Sequence, residues 1–258
     1  MRIFNVPTSI GKIQENKITK NSVPSIPSKE EIINRACQMQ IKGNISEARK
    51  YYQYCLNKGF EDYRVFSNYG ILLKDNGNLK EAEILTKKAI ELKPESFRAH
   101  LNLGSIYIDL KKLEEAEKST LKVIELNPDS EKAYYNLGKI YRDFRRYQEA
   151  ESFASKAIQL KPDYFEAYYI LGTILVSLGK LNQAETNFRK AIELKPDLSE
   201  AHSNLAVIFK NLGNLKEAES SIRKAIQLKP DSSEAHSNLA AILTDLGKIQ
   251  EAELSARK

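Results

Sequence analysis

Three histidines, two cysteines and a recurring asparagine are the side chains of this 258-residue sequence whose type and spacing bear on chemistry. His202 and His236 stand 34 residues apart, and His100 falls on the same grid. A catalytic imidazole needs a nucleophile, a metal or an acid partner at a suggestive spacing. The chain offers no phosphate-cradling G-x-x-x-x-G-K-[ST], no G-x-G-x-x-G after a strand, no H-E-x-x-H and no nucleophile elbow. Histidines that recur at one phase of a repeat are therefore read as packing or capping groups. No catalytic residue, cofactor or metal site is assigned, and the chain is not expected to be an enzyme. Cys37 and Cys55 are too few for a disulfide framework and match no zinc spacing, so they read as reduced, partly buried thiols.

The asparagines carry more information. Asn34, Asn68, Asn102, Asn136, Asn204 and Asn238 share one phase of the 34-residue period, with Ile170 at the remaining position. An asparagine side chain offers both a donor and an acceptor, so a ladder of them can pair with the backbone of an extended peptide whatever its sequence. The alternative is that they bond their own scaffold.

What positions these residues is the repeat itself, and self-similarity dominates the chain. Pro94, Pro128, Pro162, Pro196 and Pro230 recur every 34 residues within phrases such as AIELKPES, AIQLKPDY and VIELNPDS. Units at 29–62, 63–96, 97–130, 131–164, 165–198 and 199–232 are followed by an incomplete one at 233–258. Each reads as two helices. Ala99, Leu103, Ile106 and Tyr107 form one apolar face of the first, and Ala82, Leu85, Ala89 and Leu92 point inward from the second. Gly43, Gly77, Gly179, Gly213 and Gly247 are placed to end the first helix in a left-handed conformation. Asn44, Asn78 and Asn214 are expected to cap the second, each with a glutamate at the third position. The proline then stops that helix, and Asp163, Asp197 and Asp231 are expected to start the next unit. Gly70, Gly104, Gly138 and Gly172 in mid-helix imply that the paired helix comes close, since glycine there costs roughly 1 kcal/mol against alanine.

These residues resemble the tetratricopeptide repeat family, which has a 34-residue unit with small residues at places eight and twenty, alanine at twenty-seven and proline at thirty-two. The match runs from Lys29 to Lys258. Place four carries Phe66, His100, Tyr134, Tyr168, His202 and His236 where the family most often has tryptophan, which this chain lacks. The resemblance implies an all-α fold, a right-handed α-solenoid of about seven antiparallel helix-turn-helix units with a concave groove. The stretch EAHSNLAVIFKNLGNLKEAE at Glu200–Glu219 also looks like the repeats of O-linked N-acetylglucosamine transferase, in which such an asparagine ladder occurs.

In the family, the face of the first helix opposite the packed one lines the groove. Groove residues here are then Asn68, Asn102, Asn136, Asn204 and Asn238, with Arg64, Arg98, Lys132, Lys139 and Arg142 adding positive charge. Glu166, Glu200 and Glu234 follow at the second place, so the N-terminal half is expected to prefer acidic segments and the C-terminal half basic ones. The lysine–asparagine pair by which some members grip chaperone carboxylates is missing, since places five and nine read Ser67 with Ile71, Leu101 with Ser105 and Tyr135 with Lys139.

The expected function is a scaffold or adaptor binding a peptide or helix of a partner protein. A second reading makes the array the substrate-recruiting part of a larger glycosyltransferase or other modifying enzyme. The net charge of +6 is spread thinly, with half of it before Ser28, and this argues against nucleic acid. No apolar run is long enough for a membrane span or a secretion signal, so a cytoplasmic location is expected. Residues 1–28 read as a flexible basic tail or linker, with Ser28 and Glu31 as the capping box that opens the array. At the other end Leu239, Leu246 and Ile249 are expected to be partly uncovered, giving self-association or marking a piece of a longer chain.

Overall fold

The computed structural model describes residues 27–257, and all of its regular structure is α-helical. The predicted tail, apart from its last two residues, lies outside the described residues. The first helices of successive hairpins are α1 Lys29–Ile41, α3 Tyr63–Asp75, α5 Phe97–Asp109, α7 Glu131–Asp143, α9 Phe165–Ser177, α11 Ser199–Asn211 and α13 Ser233–Asp245. The second helices are α2 Ile45–Asn57, α4 Leu79–Leu92, α6 Leu113–Leu126, α8 Tyr147–Leu160, α10 Leu181–Leu194, α12 Leu215–Leu228 and α14 Ile249–Ala256.

The turn inside each hairpin explains its sharpness. Asn78 N–H donates to Leu73 O at 2.8 Å and Gly77 N–H to Lys74 O at 2.9 Å, which closes the helix end around a residue with positive φ. Five repeats supply glycine there, but Lys111 (φ 59°) and Arg145 (φ 61°) adopt the same left-handed backbone with full side chains. Both are exposed, so changing each to glycine removes a steric cost of about 1 kcal/mol while giving up little packing. Lys111→Gly and Arg145→Gly are expected to raise the urea midpoint singly and additively, a result read from equilibrium unfolding.

Ser28 and Glu31 form the expected capping box. Ser96, Ser130 and Ser232 accept from the backbone of the third helical residue in the same way. Capping of the second helices departs from expectation. Asn44 accepts from Glu47 N–H at 3.3 Å, but Asn78 and Asn214 make no side-chain cap bond. The backbone is nearly the same at all three, with ψ 69° at Asn44, 59° at Asn78 and 65° at Asn214, so the difference lies in the side chain. Asp163, Asp197 and Asp231 also fall one residue too early, because α9, α11 and α13 begin after Tyr164, Leu198 and Ser232.

Packing follows the small-residue pattern. Each first helix lies against its own second helix, which in turn meets the first helix of the next hairpin. A Cβ on Gly172 would stand 2.7–2.9 Å from three ring atoms of Phe188, whereas one on Gly138 would meet Ala154 Cβ at an ordinary 3.4 Å. Leu92, expected inside, is 42% exposed at the last residue of α4. Leu239 is buried against the apolar cluster that also contains Ala252, contrary to expectation, while Leu246 is partly covered and Ile249 is 53% exposed. Cys37 and Cys55 are free thiols.

An ion pair joins alternate second helices, α4, α8 and α12, to the turn of the following hairpin at a constant offset. Lys112, Lys180 and Lys248 reach back to Glu83, Glu151 and Glu219 at 2.8, 2.7 and 2.8 Å. Hydrogen bonds from Lys112 and Lys87 hold the Glu83 carboxyl below the usual carboxylate range, and Lys248 and Arg223 do the same for Glu219.

Candidate functional site

Curvature decides which face is open. First helices pack directly on one another at α1–α3, α3–α5, α5–α7, α7–α9 and α11–α13, whereas consecutive second helices do not pack closely. The first helices therefore form the inner wall, and the second helices fan outward. α9 and α11 are joined instead through a side-chain hydrogen bond, from Asn204 to the Tyr169 hydroxyl at 3.3 Å.

The asparagines lie on these first helices, and three of them are tied to the preceding repeat through Nδ2. Asn102 donates from Nδ2 to Ser67 O at 3.2 Å and to Ser67 Oγ at 3.0 Å. Asn204 donates to the Tyr169 hydroxyl at 3.3 Å, and Asn68 to Cys37 Sγ at 3.3 Å. In the first two cases the acceptor is the fifth-place residue of the preceding repeat. Leu101 occupies that place ahead of Asn136, which is buried without such a partner. Ile33 precedes Asn68, so its amide turns to the ninth-place Cys37 instead. Asn238 is half-buried, and Ile170, at the break in the ladder, is buried. For Asn68, Asn102 and Asn204 the Oδ1 atom has no partner among the described residues. These asparagines thus present an acceptor whose orientation is fixed by the donor on the same group, a division of labour that the sequence reading did not distinguish.

The positive residues differ in how available they are. Arg64 is held by Glu30 at 2.6 Å and by Asp62 at 2.8 Å, pairs that push its pKa up and the Glu30 carboxyl down. Arg142 is held by Asp143 at 2.7 Å. Neither is free to meet a ligand without giving up a carboxylate. Arg98 and Lys132 are exposed and make no ion pair among the described residues. Lys139 is half-buried near the Tyr135 ring, its ammonium 5.7 Å from the centroid. Burial, helped by Arg142 and Lys74, lowers the Lys139 pKa, and burial also pushes the Tyr135 phenol up to about 12. Two ion pairs, Lys74–Asp109 at 3.1 Å and Lys210–Asp245 at 3.5 Å, link consecutive first helices at opposite ends of the array.

The histidines face a different task. His100, His202 and His236 each place Nε2 at 2.9, 3.3 and 2.9 Å from the carbonyl of Pro94, Pro196 and Pro230, which closes the turn between repeats. Donation to a carbonyl requires the protonated Nε2, and the neutral ring suffices for it. Burial lowers the His202 pKa from the ordinary 6.5. With the folded value below the unfolded one, its contribution to stability is full above about pH 6.5 and is lost as pH falls through the lowered folded value. Thermal melts between pH 7.5 and 5 are expected to show this loss. The dependence should flatten in His202→Gln, which keeps an N–H for Pro196 and cannot titrate.

A curved stack of hairpins with a polar inner wall defines a helical-repeat protein of the interaction-scaffold kind. Sequence profiles described as TPR repeat and tetratricopeptide repeat match residues 63–96, 104–143, 131–164, 172–213 and 199–232. The chain belongs to the tetratricopeptide repeat family, whose members are typically non-catalytic. No curated protein matches it. Among solved structures, pilF of Pseudomonas aeruginosa superposes with a TM-score of 0.68 at 18% identity, over 75% of this chain and 88% of that one. YrrB, described as a TPR protein with an unusual peptide-binding site, gives 0.53 at 24% identity over 71% and 95%. A chain of the APC/C hetero-tetramer Cut9–Hcn1 gives 0.78 at 15% identity over 84% of this chain and 43% of that one. These likenesses are of fold. Among the described residues no helix is long and apolar enough to cross a membrane.

Proposed function

We propose that the inner wall binds an extended segment of a partner protein, with the asparagines of successive first helices gripping its backbone. The observation that carries this reading is the anchored amide: Asn68, Asn102 and Asn204 spend Nδ2 on the neighbouring repeat and keep Oδ1 for a visiting N–H. Repetition at one asparagine per hairpin suits a chain that offers a regular series of donors. Charge then sets preference along the groove. Arg98, Lys132 and Lys139 favour acidic residues at the N-terminal side, and Glu166, Glu200 and Glu234 favour basic ones at the C-terminal side.

Selection of displayed random peptides on the immobilised full chain tests the proposal. Enriched peptides should lose binding when Asn68, Asn102 and Asn204 are changed to alanine. The absence of any enriched peptide, or enriched peptides indifferent to those changes, would overturn it.

A further inference from the structure

Between α11, the end of α12 and the start of α13, with Tyr169 of α9 at its edge, lies a small polar cavity of about 110 Å³ bounded by Tyr169, Ser203, Asn204, Glu200, Glu234 and Lys229. A water needs roughly 10–15 Å³ of such space, so the cavity holds several waters or one planar head group. It lies beside the break in the asparagine ladder, because Ile170 occupies the rung between Asn136 and Asn204. At that rung no amide can grip a passing backbone. A side chain directed into the wall is the contact that remains.

The walls define the chemistry of that side chain. Tyr169 lines the cavity, its phenol oxygen fixed by Asn204 and its ring tilted against Phe188 at 5.7 Å between centroids. Burial raises the Tyr169 pKa, and the carboxylates of Glu200 and Glu234 both act on it in the same direction. Glu234 has no ion-pair partner among the described residues. Glu200 meets Lys229 only at 4.0 Å, with both side chains more than half exposed. The remaining nearby cation, Arg142, is occupied by Asp143. The cavity is thus acidic on balance, ringed by hydroxyls and bordered by an aromatic residue.

We infer that this cavity between α9, α11 and α13 receives a basic side chain, arginine in preference to lysine, from the segment lying in the groove. The inference rests on the groove reading above and adds a specificity site to it. A guanidinium is flat, donates in a fork that two carboxylates can share, and stacks on a tyrosine face. An ammonium satisfies the charge but neither the stacking nor the fork.

Peptides enriched on the full chain should carry arginine at one fixed register. For a labelled peptide of that kind, replacing the arginine by citrulline, which keeps the shape and removes the charge, should weaken binding about tenfold. Glu200→Gln with Glu234→Gln should do the same to the arginine peptide and leave the citrulline peptide unchanged, with the melting temperature held. Replacing arginine by lysine should fall between. Enriched peptides without a fixed basic residue, or equal binding of the citrulline version, would overturn the inference. If such peptides still depend on Asn102, the cavity fails and the groove stands; if no peptide is enriched, both fail.

Discussion

Changing Gly172 to alanine is expected to lower the stability of the chain by about 1–3 kcal/mol, although the same change at Gly138 should raise it. Both glycines sit at place eight of a first helix, and propensity alone predicts a gain of up to about 1 kcal/mol at each. Space reverses the sign at one of them. At Gly172 the added methyl would stand 2.7–2.9 Å from the ring of Phe188, a side chain with no exposure and no room to retreat. At Gly138 it would meet Ala154 at 3.4 Å. Urea unfolding of the two single variants measures the difference. Phe188→Leu in the Gly172→Ala background should recover part of the loss by removing the ring. Equal effects at the two positions would show that the hairpin contact is looser than these distances.

Changing Asn68, Asn102 and Asn204 together to alanine is expected to weaken a groove-bound peptide by between about tenfold and a thousandfold. The range comes from three hydrogen bonds worth about 0.5–1.5 kcal/mol each. Part of any change in behaviour will be structural, because each substitution also removes a bond between repeats: Asn102 to Ser67, Asn204 to Tyr169 and Asn68 to Cys37. Melting curves separate the two contributions, since the structural share moves the melting temperature and the binding share appears only in peptide anisotropy. A variant that melts lower but binds as tightly would reduce these asparagines to mortar between the hairpins.

The helical frame is legible in the sequence because its determinants are local. Proline every 34 residues and glycine at the hairpin turn set each boundary by backbone geometry that the residue itself imposes. Lys111 and Arg145 show the same logic from the other side, since the period requires a left-handed residue there even where glycine is absent. What the sequence conceals is pairwise. Nothing around Arg64 reveals that Glu30, a repeat away, already holds it, and nothing around Asn204 shows that Tyr169 will take its amide. A signal did exist in the recurrence of Glu83, Glu151 and Glu219 at a constant distance before Lys112, Lys180 and Lys248. The failed caps at Asn78 and Asn214 lie in the side chain, since Asn44 caps from nearly the same backbone. The cavity beside Tyr169 was out of reach, because its lining is gathered from four helices, α9, α11, α12 and α13.

Repeats this alike carry a hazard during folding, since a helix can embrace the wrong sibling. The partners of the mid-helix glycines limit that error. Gly70 and Gly104 face the threonines Thr86 and Thr120, Gly138 faces Ala154, and Gly172 faces Phe188. A second helix bearing phenylalanine has no seat on a first helix whose notch was cut for alanine, and one bearing alanine leaves a void beneath Gly172. The volume at this contact therefore sets the hairpins of Gly138 and Gly172 apart from each other and from the pair that shares threonine, which narrows the ways in which near-copies can mispair.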